Sequence, residues 1–433
     1  MSEDTTVFQK LIDDAVLKRI APGFQAVVFD KDQILFSGIS GYASAPSVED
    51  PDGREMTPST ILWVASFCKV VTHIIALHAI ERGFIQNFTM NDLDNHEKLV
   101  EILPELKQGS GTLCTKIIEG FEEPGPDGKK VMKLRDAKNK ITLRMLLTHT
   151  TGFAGGAGWN NPLISQLFQG DDPIINNLPH VVTGLIKDFQ IPLLFEPGTG
   201  FQYGVSTEWV AQFVVRGTGK NLRVLYKEFI VHPLSIPSDE TDLWFPSSAK
   251  DRIASLHIKN ADSPSGFIII KQPLYTREDG PDEGHAYPAE GLLWATFRAF
   301  VPILQAMLRH DERILKKETW ERVTKDDLKD RGITISKPYF ESPIIFSTID
   351  EYTKSTSPDI SPGENMLSCY TLSGLAVGSY GWAGAVNAFF FLDPKNGIGG
   401  VLGTQMLPFM DSSIVEIRDK FENLIYETFV KKA

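Results

Sequence analysis

A chain of 433 residues, 42% hydrophobic and 23% charged, has an ordinary globular composition and is too long for a single hydrophobic core, so two lobes are expected. The formal net charge of −12, with no basic stripe to offset it, argues against nucleic acid and anionic membranes as partners. No apolar run is long enough to span a membrane, and the acidic stretch from Met1 to Leu11 lacks the apolar centre of a signal peptide, which points to a cytoplasmic protein.

Thr5 to Arg19 reads as an amphipathic helix with Phe8, Leu11, Ile12 and Leu17 apolar. After Pro22-Gly23, residues 24–38 form a hairpin turning at Asp30 to Asp32, the first strands of a sheet. A turn-rich approach carrying Pro46, Pro51, Gly53 and Pro58 then leads to Ser66. From Ser66 onward, Val70, Val71, Ile74, Ile75, Leu77 and Ile80 are too many apolar residues for one face, so this helix should be enclosed, ending at Arg82 and Gly83.

Ser66 and Lys69 stand three apart on that helix and can meet. A serine in a first turn has unpaired backbone N–H groups beside it, suited to an oxyanion. An ammonium in an apolar setting is penalised, so the Lys69 pKa should fall and its amine could take the Ser66 proton. The bland alternative is an N-cap serine with a surface lysine. About two S-x-x-K spacings are expected by chance in such a chain, and a second one exists at Ser247 and Lys250. It follows Pro246 in a polar stretch with no buried helix behind it. Of the cysteines, Cys68, Cys114 and Cys369, none has metal spacing or a disulfide signature, which fits a reducing cytosol, and Cys68 reads as a small core residue.

Beyond Gly83, short segments around Asn91 to Asp94 and Leu103 to Leu106 precede a polar loop through Glu122 to Lys130. Thr142 caps a short helix over residues 143–147, and His149 in the following turn reads as a structural residue tying the turn down through its ring nitrogens. A loop over residues 192–200 leads to Tyr203 and a helix from Thr207 to Arg216; Tyr203 is either packing at a helix entrance or a phenol held in a cleft. A long amphipathic helix is expected from Glu290 to about Leu308, and a polar loop from Ser355 to Pro362. Strands follow over residues 370–377, 386–392 and 398–405, with a final helix from Ser413 to Val430. The small residues of the segment from Gly378 to Ala385 would let backbone approach a ligand closely. Strands at both ends imply a mixed lobe, residues 1–82 with 290–433, and a mostly helical inserted lobe, residues 83–289, with the active site between them.

Ser66-x-x-Lys69, Leu146-Leu-Thr-His149-Thr-Thr-Gly152, Phe195-Glu-Pro-Gly198 followed by Tyr203-Gly-Val205, Pro288-Ala-Glu-Gly291 and Gly381-Trp-Ala-Gly384 occur in this order. Together they resemble the class C β-lactamase-related serine hydrolases over roughly residues 20 to 425. The stretch from Ile117 to Arg144 is similar to the fungal esterase and acyltransferase branch that decorates polyketides, including the statin-pathway transesterase. The resemblance implies an α+β fold of the β-lactamase/transpeptidase type, a five-stranded antiparallel sheet flanked by helices with a helical lobe beside it.

It also implies Ser66 as nucleophile, Lys69 as its base partner and Tyr203 as a proton relay. The backbone N–H groups of Ser66 and Ala385 would form the oxyanion hole. Trp382, Gly384, Tyr380 and Phe153 are expected to bind substrate. Penicillin-recognising members usually carry Tyr-x-Asn where Val205 stands, and a charged Lys-Thr-Gly or a His at the place of Trp382; an indole favours flat or apolar acyl groups. The expected activity is acyl transfer or ester hydrolysis on a small secondary-metabolite-type ester or thioester, with no cofactor or metal. The partners are a small-molecule acyl donor and acceptor, a carrier-protein-bound acyl group being one form of donor. The alternatives are a catalytically silent binding relative and an amide or β-lactam hydrolase. No G-x-S-x-G elbow and no H-E-x-x-H occur.

Overall fold

The computed structural model describes residues 5–123, 131–155, 186–243, 247–270, 293–325, 328, 331–333, 370–371 and 379–430. Its centre is an antiparallel sheet made from both ends of the chain: β1 (Gly23–Asp30), β2 (Ile34–Ser44), β3 (Arg54–Glu55), β4 (Tyr370–Thr371), β5 (Tyr380–Gly384), β6 (Ala388–Asp393) and β7 (Ile398–Gly403). The spatial order is β4-β5-β6-β7-β1-β2-β3, so the first and last strands of this sheet in chain order, β1 and β7, lie side by side. The two outermost strands are two residues long, which leaves five strands of substance. The hairpin expected at Asp30 is present: the Asp30 carboxylate accepts from the backbone N–H of Asp32 and Gln33 at 2.8 Å each, the Asx turn that aspartate favours.

Alternation of side chains explains how one sheet serves two cores. Val27, Phe29, Phe390, Leu392 and Val401 face one apolar cluster, while Ala26, Val28, Phe389, Phe391 and Leu402 face another. The second face is covered by α1 (Thr6–Leu17) and by a helix at the far end of the chain, Ser412–Ile425. Phe8 sits between Phe36, at 5.2 Å, and Phe421, at 5.8 Å, and so welds both termini to the sheet. Leu17, expected on the apolar face, is exposed. The first face receives α2 (Cys68–Glu81), in which every residue from Cys68 to Ile80 is buried, as the all-round apolar pattern requires.

Three sequence expectations are corrected here. Residues 378–385 fall between two expected strands, but Tyr380–Gly384 is itself a strand paired to β6; Gly381 and Gly384 look like breakers, while Tyr380 and Trp382 alternate onto one buried face. The helix expected from Glu290 begins at Phe297 instead, because Thr296 caps it by accepting from the Ala299 N–H at 3.1 Å, and Trp294–Ala295 is a short strand. Two unforeseen strands, Lys116–Phe121 and Met132–Asp136, pair antiparallel on either side of the polar stretch, of which residues 124–130 lie outside the described residues. The motif at Pro288 and the loop at Ser355 lie outside the described residues.

Several pieces of the expected helical insert join the sheet-bearing part. Thr241–Asp242 pairs with Trp294–Ala295, which pairs with Leu62–Trp63, and Leu256–Lys259 runs parallel to Met406–Leu407. His257, fully buried, fastens this junction: Nε2 accepts from the Ala45 N–H and Nδ1 donates to the Gln405 carbonyl, both at 3.1 Å. That pairing uses up both nitrogens in the neutral form, and burial pushes the imidazole pKa down to about 4. Below pH 6.5 the unfolded chain takes up this proton and the folded one does not, so stability falls between pH 6.5 and 4. The expected loss from this residue between pH 7.5 and 5.0 is about 2 kcal/mol. Urea unfolding of wild type and His257→Gln at the two pH values checks it; an equal pH dependence in both proteins refutes it.

Candidate active site

The chain reaches Ser66 through a short strand held on two sides. Leu62–Trp63 pairs with Trp294–Ala295, the Val64 N–H donates to the Leu293 carbonyl at 3.0 Å, and the buried Gln405 amide brackets Trp63, accepting from its N–H at 3.1 Å and donating to its carbonyl at 2.9 Å. At Ala65 the backbone turns through φ of +47°, a conformation a non-glycine residue holds only where its surroundings enforce it, and such residues concentrate at functional sites. Ser66 therefore lies in a 3₁₀ turn, Ala65–Phe67, just ahead of α2 rather than in its first turn. Phe67 anchors this turn to the sheet, 4.9 Å and edge-on to Phe390 and 5.1 Å from Phe300.

Three side chains converge on this point. Lys69 Nζ donates to Ser66 Oγ at 3.3 Å and the Tyr203 hydroxyl donates to the same oxygen at 3.0 Å. Lys69 is 1% exposed, so the surface-lysine alternative fails. Its ammonium position lies 4.7 Å above the Tyr203 ring, close enough for a cation–π contact. Tyr203 arrives just before α5 (Ser206–Thr218), the fifth α-helix among the described residues, after α3 (His96–Ile102) and α4 (Leu143–Leu147). Helix α5 packs on α2, where Thr207 Oγ1 meets His73 Nε2 at 3.3 Å, one helical turn beyond Lys69. A Cβ on Gly204 would stand 2.4 Å from the Ala154 backbone, so only glycine lets the two segments pass closely enough to place Tyr203.

On the far side, Trp382 of β5 lies 5.5 Å from the Tyr203 ring and is buried. A Cβ on Gly384 would stand 2.6 Å from the Val64 carbonyl, so the end of β5 abuts the turn that carries Ser66, and Ala385 follows directly. Tyr380 is buried on the same face of the strand. Phe153, expected to bind substrate, is fully buried and stacked on Trp209; its ring packs the core beneath the segment bearing Tyr203. Ser247 stands in a 3₁₀ turn whose Lys250 is exposed, so the second motif lacks the burial that surrounds Lys69.

His149 requires a correction. Among the described residues neither ring nitrogen has a hydrogen-bond partner, although His149 is fully buried; the turn is held instead by the His149 carbonyl, which accepts from the Gln202 N–H at 2.9 Å, and by the hydroxyls of Thr148 and Thr151. Sequence reasoning also missed Glu196, whose carboxylate accepts from the backbone N–H of Lys138 and Asn139 and pairs with Arg135 at 2.5 Å, fixing the loop ahead of Tyr203. The Glu-Pro-Gly stretch marked a turn and gave no sign of that partner. Among the described residues no cluster of His, Cys, Asp and Glu is arranged to hold a metal, and no helix is long and apolar enough to cross a membrane.

An antiparallel sheet between helical layers, with a Ser-x-x-Lys turn beside it whose lysine is buried, is the architecture of the β-lactamase/transpeptidase-type serine proteins. A family model described as Beta-lactamase matches residues 8–418, and the chain belongs to that family of enzymes. It is 26% identical to a monacolin J acid methylbutanoyltransferase of Aspergillus terreus, covering 98% of this chain and 95% of that one. It is 27% identical to a lovastatin esterase of Penicillium rubens, over 85% of this chain and 86% of that one. Unliganded simvastatin synthase (LovD) of Aspergillus terreus has the same fold, with a TM-score of 0.77 at 21% identity over the full length of both chains.

Proposed function

We propose that this enzyme transfers a small acyl group through an ester on Ser66, from an ester or thioester donor to an alcohol acceptor or to water. The observation that carries this reading is the convergence of Lys69 Nζ and the Tyr203 hydroxyl on Ser66 Oγ. Ser66 Oγ attacks the donor carbonyl; Lys69, almost wholly out of water, is placed to take its proton, and the Tyr203 phenol to protonate the departing alkoxide or thiolate. Reversal of the same steps, with an acceptor hydroxyl or water in place of the leaving group, releases the acyl group. The backbone N–H groups of Ser66 and Ala385 would hold the oxyanion, consistent with Gly384 abutting Val64.

Trp382, Gly384 and Tyr380 would flank the acyl chain, since all three lie on one face of β5 and Trp382 reaches Tyr203. The relatives that are acyltransferases and an esterase of statin-type molecules favour a secondary-metabolite ester, with a carrier-protein-bound donor as one form. Cys68 and Cys114, buried and in no disulfide among the described residues, are in keeping with a cytoplasmic setting. Two lobes, residues 1–82 with 290–433 and residues 83–289, would meet at Ser66, as Lys69 and Tyr203 come from one part of the chain each.

Val205 is a buried apolar residue with no group to meet the amide of a β-lactam, and Trp382 has no positive charge to pair with its carboxylate. Leaving such groups unmet costs about 1–3 kcal/mol, so penicillins should turn over at least about 10-fold more slowly than short-chain aryl esters and thioesters. Stopped-flow assays of both classes, with and without an alcohol acceptor, test the reading. A burst of released phenol or thiol, followed by acceptor-dependent turnover, is expected. Fast penicillin hydrolysis favours a β-lactamase, and absence of any phenol or thiol release favours a silent binding protein.

A further inference from the structure

We propose that His149 is a positioning residue for acyl transfer, bracing the Tyr203 phenol on Ser66 through contact of the two rings. This rests on the Ser66–Lys69–Tyr203 reading above. The imidazole is fully buried and its centroid lies 4.9 Å from that of Tyr203, 6.2 Å from Phe201 and 6.3 Å from His73. The backbone of the same residue holds the other end of the contact, its carbonyl accepting from the N–H of Gln202, the neighbour of Tyr203. Tyr203, itself partly buried, is thus flanked by His149 on one side, Trp382 on another and Lys69 Nζ above its ring, with the hydroxyl directed at Ser66.

The cost of placing His149 here argues that the ring contact is used. Its φ of +52° is in the left-handed region, which a non-glycine residue enters at a penalty. Both nitrogens are buried without a hydrogen-bond partner among the described residues, whereas the flanking threonines are satisfied: Thr148 Oγ1 donates to the Arg144 carbonyl at 2.8 Å and meets Thr150 Oγ1 at 3.1 Å, and Thr151 Oγ1 meets Ser206 Oγ at 2.9 Å. The turn is already secured without the imidazole, whose shortest ring contact is Tyr203, well inside the distances to Phe201 and His73. Burial, then the nearby His73 and Lys69, holds the His149 pKa well below the ordinary range, so the brace adds no second positive charge beside Lys69.

The test compares His149→Asn, which tolerates the left-handed backbone and removes the ring, with His149→Phe, which keeps a ring and removes both nitrogens. In steady-state assays on a short-chain aryl ester, His149→Asn is expected to lower kcat by about 10-fold or more, the scale of a misplaced catalytic group, with KM little changed, and His149→Phe to restore most of it. In a Tyr203→Phe background, where there is no hydroxyl to position, His149→Asn should cost little more. A loss of equal factor in both backgrounds, or no rescue by His149→Phe, overturns the brace. If His149→Asn does not fold, His149→Phe alone decides, with kcat within about 3-fold of wild type expected and a loss above about 10-fold refuting the proposal. Near-wild-type turnover by Tyr203→Phe itself would instead refute the reading of Tyr203 on which the brace depends.

Discussion

Ser66→Ala is expected to lower kcat on any ester or thioester substrate by about 1,000-fold or more while leaving the thermal unfolding temperature close to that of wild type. The size follows from loss of the atom that forms the acyl bond, which no other described side chain replaces: the second Ser-x-x-Lys has an exposed Lys250 and no buried helix behind it. The fold should survive because the turn is held by Phe67, by the strand pairing at Leu62–Trp63 and by Gln405 on Trp63, none of which uses the serine hydroxyl. Ser247→Ala should leave the rate unchanged. Steady-state kinetics with differential scanning calorimetry checks both, and a Ser66→Ala protein that keeps a tenth of wild-type turnover contradicts the assignment.

Lys69→Ala and Tyr203→Phe should each lower kcat by about 100-fold or more, and the double variant should lose little beyond the worse single one. Both groups meet one oxygen, and the proton that leaves Ser66 in acylation must reappear on the leaving group, so neither partner completes the step without the other. Tyr203→Phe preserves the ring contacts with His149 and Trp382 and so isolates the hydroxyl. Removing Lys69 also empties a buried position, so unfolding must be measured alongside. Losses that multiply in the double variant would show two independent roles and contradict a shared one.

The sequence made the enclosed helix behind Ser66 legible because its apolar residues exceed one face, and it made the hairpin at Asp30 legible because the turn chemistry is local. It also showed the motif residues in order along the chain. The positions of Tyr203 and Trp382 around Ser66 were accessible only through the family resemblance, since contacts across more than a hundred residues leave no periodic trace. Strand β5 was misread because Gly381 and Gly384 are local breakers whose presence is a tertiary matter: Gly384 is small because Val64 lies against it. Helix starts slipped where a single capping bond decided them, as at Thr296. His149 was read from the usual habit of buried histidines to be hydrogen-bonded, and here ring contact has overridden that habit.

The central claim is that the acyl group passes through Ser66, and acid-quenched mass spectrometry after exposure to a short-chain thioester tests it most directly. The prediction is a mass gain of one acyl group, mapped to the peptide carrying Ser66, absent from Ser66→Ala and retained in Ser247→Ala. An adduct that persists in Ser66→Ala, or disappears in Ser247→Ala, would contradict it.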